Sequence, residues 1–265
     1  MKIAGFLIIV TAFFYIYIMI SQAEIKKIRS LHKNKGRSQH QCFIIEGIRA
    51  VEDILGSSLD VFDVFITKGG DSLTPGYKSF REISEKEMKS ISALNSPPGI
   101  LAVVKIPPPG NINPEQNLIL LDGIKDPGNM GTIIRTAHWF GVNQVVCSTD
   151  SVDIYNPKVV QATMGSIGYV SMFTDELSDF LDKYSKEYSF AGLMMEGRQL
   201  KDVEFSKDSG IALIVGSEAF GIREEVEKRL DVSVTIPAFH SQNKPESLNA
   251  SIAASIAIYH FYGTE

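Results

Sequence analysis

The sequence predicts an α/β protein, with a small α/β unit, a linker, and a larger domain built on a parallel sheet, and three observations predict it. After Asn117, short runs that are apolar throughout, such as Leu118–Leu121 and Ile211–Val215, alternate with helical segments. Strands apolar on both faces belong to a parallel sheet covered on both sides. Ahead of them, Pro107-Pro-Pro-Gly-Asn-Ile-Asn-Pro114 can be neither helix nor central strand, and it reads as a linker. Finally, three polar clusters stand just past apolar strands, where an open α/β sheet gathers its ligands.

The chain divides accordingly into a hydrophobic N-terminal segment (1–23), a small domain (24–106), a linker (107–117) and a large domain (118–265). Its 265 residues suit one large domain or two smaller ones. From Ile3 to Ile20 runs an uncharged apolar stretch of 18 residues, followed at once by basic residues. It has three readings: a membrane anchor with the body facing the cytoplasm, a secretory signal ending near Ser21 and Ala23, or text upstream of a true start at Met19. The last is favoured, because Ile20-Ser-Gln-Ala-Glu-Ile-Lys-Lys-Ile-Arg-Ser-Leu-His reads as the start of an amphipathic helix. A cytoplasmic protein is then expected, with a membrane partner only if residues 1–20 are a real anchor.

In the small domain, Ile48, Val51, Ile54 and Leu55 repeat at helical spacing after Gly47, and Val61–Thr67 and Gly99–Ile106 read as strands. After the linker come strand Leu118–Leu121, a helix from about Asn129, strand Gln144–Cys147, a helix around Pro157–Met164 and strand Tyr169–Phe173. A helix near Glu176–Tyr184, strands Phe190–Met194 and Ile211–Val215, a helix near Arg223–Leu230, strand Val232–Ile236 and a final helix from Ser247 complete the series.

The net charge of −5 argues against a globally basic nucleic-acid coat. Yet Lys26, Lys27, Arg29, Lys33, Lys35 and Arg37 fall within twelve residues without a carboxylate. Such an arm can contact RNA phosphates; the plain alternative is a solvated helix face. Two cysteines, Cys42 and Cys147, make neither a disulfide framework nor a metal site, and Cys147 reads as a small buried hydrophobe. No metal is indicated.

The first polar cluster is Asn129-Met-Gly-Thr-Ile-Ile-Arg135. Asn129 stands where an N-cap would, so capping competes with a site role. Arg135 lies between apolar neighbours, and an inward-leaning arginine there would hold an anion. The second cluster, Gly216-Ser-Glu-Ala-Phe-Gly221, is neither a Walker loop nor a dinucleotide fingerprint. Glu218 alone would be only a solvated carboxylate. The third is Ser247-Leu-Asn249, opening a helix rich in small residues, which Ser247 could cap.

Taken in order, Asn-x-Gly-x-x-x-Arg-x-Ala, Gly-Ser-Glu-Ala-x-Gly and Ser-Leu-Asn-x-Ser closely resemble the three motifs of the SpoU, or TrmH-type, RNA ribose 2′-O-methyltransferases of the SPOUT superfamily. The resemblance runs from about Glu24 onward. It implies a C-terminal trefoil knot, S-adenosyl-L-methionine as cofactor, a homodimer, and an N-terminal substrate-binding domain similar to ribosomal L30e-type RNA binders. Carried over by position, it makes Gly216, Ile236 and Leu248 cofactor-binding residues, and it gives Asn129, Arg135, Glu218, Ser247 and Asn249 to substrate and catalysis. The loop Ala238–Glu246 departs from the family pattern in its length and its lack of a glycine.

The implied reaction is attack of a ribose 2′-hydroxyl on a sulfonium-bound methyl group. That hydroxyl is a poor nucleophile and needs a proton acceptor or a stabilised alkoxide. Two roles stay open for Arg135, base or phosphate holder, and a guanidinium is a reluctant base. The substrate class is structured RNA, ribosomal first and transfer RNA second. The competing class is a non-catalytic RNA-binding or ribosome-assembly protein that retains the fold.

Overall fold

The computed structural model describes residues 20–68, 80–205, 210–239 and 246–263. The apolar stretch as far as Met19, and with it the Met19 start, lies outside these residues, as does most of the Ala238–Glu246 loop. Among the described residues no helix is long and apolar enough to cross a membrane.

The chain opens on helix α1 (Gln22–Ser30), started by a capping box in which the Ser21 hydroxyl accepts from the Glu24 backbone and the Glu24 carboxylate accepts from the Ser21 backbone. Ile25 and Ile28 turn inward, which sets Lys26, Lys27 and Arg29 outward. Helix α2 (Asn34–His40) leads into β1 (Cys42–Glu46), then α3 (Ile48–Leu55), β2 (Val61–Ile66), β3 (Arg81–Glu82), α4 (Glu85–Ile91) and β4 (Ile100–Lys105). The four strands form one sheet in the order β1-β4-β2-β3, antiparallel except for the β2–β3 pair. Strand alternation sorts the apolar side chains. Cys42 and Ile44 face α1 and α4, joining Ile25, Ile28, Leu31, Met88 and Ile91. Phe43 and Ile45 face the other way, with Val51 and Ile54, into a core continuous with that of the second domain.

The predicted parallel sheet is present. Strands β5 (Leu118–Asp122), β6 (Gln144–Ser148), β7 (Ser171–Asp175), β8 (Tyr188–Gln199), β9 (Gly210–Gly216) and β10 (Val232–Thr235) lie in the order β10-β8-β9-β5-β6-β7, every neighbouring pair parallel. Helices α5 (Pro127–Trp139), α6 (Pro157–Thr163) and α9 (Ala250–Tyr262) cover the face bearing Ile119, Leu121, Val145 and Val215. Helices α7 (Leu177–Lys183) and α8 (Glu224–Glu227) cover the face bearing Leu118, Leu120, Val146 and Ile214. Helices α5 and α6 pack closely because residue 131 is glycine: a side chain there would put its first carbon 2.4 Å from Ala162 Cβ. Cys147 is buried in this core, and burial pushes its thiol up to about 12, the inert state expected of a small hydrophobe.

The domains are joined by an apolar seam and by buried charge. Helix α3 packs on the 3-10 turn Ser166–Gly168, where a side chain at Gly168 would meet Ile54 Cδ1 at 2.8 Å. One member of the basic arm leaves the surface here. Arg37 is only 3% exposed; its Nε and Nη2 donate to Asp153 Oδ2 at 3.1 and 2.5 Å, and its Nη1 donates to the Leu31 carbonyl at 2.7 Å. The expectation that Arg37 contacts RNA is therefore corrected. A buried guanidinium needs several acceptors, and the fold supplies them from both domains.

Candidate active site

Because all six strands run parallel, β5, β9 and β10 deliver their last residues to one edge of the sheet. In the register Asp122 lies opposite Gly216, so the loops carrying the first and second clusters leave the sheet side by side. The break in strand order falls between them, since β5 is the first strand and β9 its late-arriving neighbour.

Helix α5 begins one turn earlier than the sequence suggests. Asp126, not Asn129, is the N-cap: its carboxylate accepts from the Asn129 backbone at 2.8 Å, and Pro127 takes the first helical position. Asn129 is thereby freed from capping. It is 8% exposed, and its Nδ2 donates to Glu218 Oε1, tying the first cluster to the second. Arg135 is exposed and takes no hydrogen bond or ion pair among the described residues. The inward-leaning arginine is a second correction. Ile133, Ile134 and Ala137 occupy the buried stripe of α5, and helical rotation sends residue 135 to the outer face with Trp139, four residues on.

The second cluster folds back on its own strand. Ser217 and Gly221 exchange backbone hydrogen bonds at 3.1 and 2.9 Å, and the Ser217 hydroxyl accepts from the Phe220 backbone at 3.1 Å. A side chain at Gly216 would sit 2.2 Å from the Gly221 carbonyl carbon, and Gly221 has φ +69°, so both glycines are required by this turn. Glu218, Ala219 and Phe220 form the exposed tip.

The third cluster is exposed from Ser247 to Asn249. Asn249, rather than Ser247, caps α9, its Oδ1 accepting from the Ser251 and Ile252 backbones at 2.9 and 3.3 Å. Ser247 takes no partner among the described residues. Helix α9 lies along α5, with Thr136 Oγ1 3.2 Å from Ser255 Oγ. Ile236, half-buried, follows β10, and Leu248 is half-exposed before α9.

Beneath the edge lies a polar network that the sequence reading passed over. Asp122, fully buried, accepts from the Arg223 backbone at 2.8 Å and from Arg223 Nε at 2.7 Å, clamping the far end of the second loop to β5. Burial works against the Arg223 charge, but the Asp122 hydrogen bond with the Asp122, Glu176 and Asp150 charges outweighs it and holds the guanidinium above its ordinary range. Ser148 Oγ accepts from the Gly123 backbone at 2.8 Å and donates to Asp150 at 2.7 Å. Asp150 in turn sits below the usual carboxylate range, chiefly through its Lys125 hydrogen bond. A lone carboxylate ending the apolar run Leu118–Leu121 was the available signal. Among the described residues no group of three His, Cys, Asp or Glu side chains is placed to hold a metal ion.

Known proteins share this fold and stretches of this sequence. Residues 116–259 match the model of the SpoU rRNA Methylase family, and residues 22–102 match that of the MRM3-like substrate binding domain. Over 247 residues the chain is 28% identical to the 23S rRNA (guanosine(2553)-2′-O)-methyltransferase RlmP of Bacillus subtilis, covering 91% of this chain and 96% of that one. A TrmH-family structure from Porphyromonas gingivalis superposes with TM-score 0.84 at 31% identity, over 94% of this chain and all of the other. The SpoU methyltransferase AviRb from Streptomyces viridochromogenes, solved with the cofactor AdoMet, shares the fold at TM-score 0.77 and 21% identity, over 91% of this chain and 97% of that one.

Proposed function

The chain belongs to the SpoU rRNA Methylase family, and from that membership we propose that it is an S-adenosylmethionine-dependent enzyme methylating a ribose 2′-hydroxyl in RNA, ribosomal RNA in the first place and transfer RNA in the second. The observation that carries the reading is the meeting of the first and second clusters at one sheet edge, bonded through Asn129 and Glu218.

Gly216, Ile236 and Leu248 are the residues assigned to the cofactor. S-adenosylmethionine bound there supplies an electrophilic methyl group. Everything else falls to the protein. Arg135 holds the phosphate beside the target ribose and fixes the hydroxyl, whose oxygen takes the methyl from the sulfonium, leaving a neutral thioether, and whose proton passes to solvent water, so that proximity and electrostatics supply most of the acceleration. Its place on the outer face of α5, with no partner among the described residues, leaves its donors open to a phosphate. The Asn129–Glu218 bond fixes the carboxylate near the reacting ribose, and Ser247 with the free amide of Asn249 supplies further polar contacts. The exposed Lys26, Lys27, Arg29, Lys33 and Lys35 grip RNA phosphates on an L30e-type domain.

The family's knot and homodimer belong to the same proposal. Ile252, Ile256 and Tyr259 form an exposed apolar stripe along α9, 51%, 40% and 57% exposed, and Trp139 of α5 is 82% exposed. Phe140 joins the two helices, its ring 5.7 Å from that of Tyr259. Such a patch favours a second copy, which would then wall the side of the site bearing Arg135. A monomeric mass in solution would remove the dimer from the proposal.

The test of the reaction is methyl-labelled S-adenosylmethionine with unmodified RNA, followed by digestion to nucleosides. A labelled 2′-O-methyl nucleoside is expected. RNA binding without label above an Arg135→Ala control would favour a ribosome-assembly protein instead.

A further inference from the structure

Between the two domains lies a cleft of about 630 Å³, within the range of small-ligand sites, roughly 300–1,000 Å³. One wall is His32, Ile44 and Leu94 of the small domain; the other is Pro127, Lys158 and Gln161 of the large one. We propose that this cleft is a nucleotide subsite, taking one unpaired nucleotide of the substrate RNA next to the methylated residue. The proposal rests on the methyltransferase reading above and adds a place on the protein where RNA is held.

The cleft is built rather than incidental, because pins on either side fix its width. Arg37 bridges the Leu31 carbonyl, next to His32, to Asp153. The Phe43 ring, next to Ile44, lies 4.9 Å from that of Tyr155, next to Asn156. Nearby carboxylates are already engaged: Glu46 accepts from Ser92 Oγ and the Ala93 backbone, Asp126 from Asn129, and Asp153 from Arg37. The cation is not. Lys158 is exposed and takes no side-chain partner among the described residues, and neither does the Gln161 amide.

The free Lys158 ammonium, the free amide nitrogens of Asn156 and Gln161 and the apolar Ile44, Leu94 and Pro127 match the parts of a single nucleotide: phosphate, base edge and base face. The placement also fits, since Pro127 opens the helix that carries Asn129 and Arg135. A nucleotide seated in the cleft would thus register the strand against the site.

The experiment titrates an unmodified 23S rRNA transcript with the native chain and four variants. Lys158→Glu and Gln161→Trp are expected to weaken binding by about tenfold, while Lys158→Arg and Lys186→Glu, the latter just ahead of β8 at the opposite sheet edge, stay within about threefold. Lys158→Glu should also lower the salt slope by roughly 0.7–1, the loss of one phosphate contact. Unchanged cofactor binding checks that each variant is folded. Equal weakening by Lys158→Glu and Lys186→Glu, or native affinity in Gln161→Trp, would overturn the subsite. Should a variant fail to fold, thiouridine-substituted RNA crosslinked to the native chain decides: crosslinks at residues 91–94 or 157–162 support the cleft, and crosslinks only elsewhere remove it. Affinity is read directly, so native binding without methyl transfer would count against the enzyme reading and leave the cleft result standing on its own.

Discussion

The edge of the large sheet and the N-terminal arm of the small domain hold their polar and charged residues in opposite ways. At the edge of the large sheet, polar side chains are bonded to one another: Asn129 to Glu218, Asp122 to Arg223, Ser148 to Asp150. In the small domain, Lys26, Lys27, Arg29, Lys33 and Lys35 are exposed, and among the described residues only Lys27 of these has a ring contact, 5.0 Å over Phe62. The first arrangement holds atoms in place and suits chemistry. The second is a diffuse positive surface that suits phosphate binding and tolerates motion. Arg37 departs from the arm, being adjacent to it in sequence but built into the interface.

That contrast can be broken from its strong end first. Arg135→Ala is expected to cut methyl transfer by more than tenfold, a loss above about 1.4 kcal/mol, while cofactor affinity stays within about twofold. Retention of more than about a tenth of the rate would take Arg135 out of catalysis.

Arg37→Ala sharpens the contrast on stability. It strands Asp153 beside a closed interface, and with a quarter of the Asp153 side chain exposed the expected cost is about 2–3 kcal/mol by denaturant titration. Arg29→Ala, by comparison, should shift stability by less than about 0.5 kcal/mol. Equal effects would mean that Arg37 is part of the surface arm after all.

Gly216→Ala tests the second loop. The added carbon meets backbone rather than a flexible side chain, so a loss of about 1–3 kcal/mol and weaker cofactor binding are expected, with RNA affinity unchanged. A variant that binds cofactor normally would show that the turn does not shape that site.

The smallest effect is a pH dependence in the small domain. The Arg81 hydrogen bond, aided by the Ser21 backbone, lowers the Glu24 carboxyl from 4.5 to about 2. A depressed carboxyl stabilises above its unfolded pKa and loses that contribution as pH falls from about 4.5 through about 2. Glu24 is 40% exposed, so the contribution is under about 1 kcal/mol. Native chain and Glu24→Gln should differ slightly at neutral pH and converge in acid; a gap that widens in acid would contradict the assignment.

Much of the fold was legible because strands buried on both faces must be apolar throughout. Leu118–Leu121 and Ile211–Val215 announced themselves in that way. The order of strands was not legible, since neighbours such as β5 and β9 are brought together only by the tertiary fold. Cap identities were misread although Asp126-Pro127 is a stronger start signal than Asn129, and Ser84-x-x-Glu87 marked α4 unnoticed. The site's residue types were visible in the three clusters, but their orientation was not. Sequence proximity placed Arg37 with the arm and Arg135 toward the core; the buried interface and the helical period reversed both.

The division between chemistry and grip is tested most directly by rates at saturating RNA. A Lys26→Glu/Lys27→Glu/Arg29→Glu chain and an Arg135→Ala chain are compared with the native chain in labelled-methyl transfer. The arm variant is expected to need more RNA yet reach the native maximal rate, whereas Arg135→Ala stays slow at any RNA concentration. An arm variant that never recovers its rate, or an Arg135→Ala chain that does, would contradict the division.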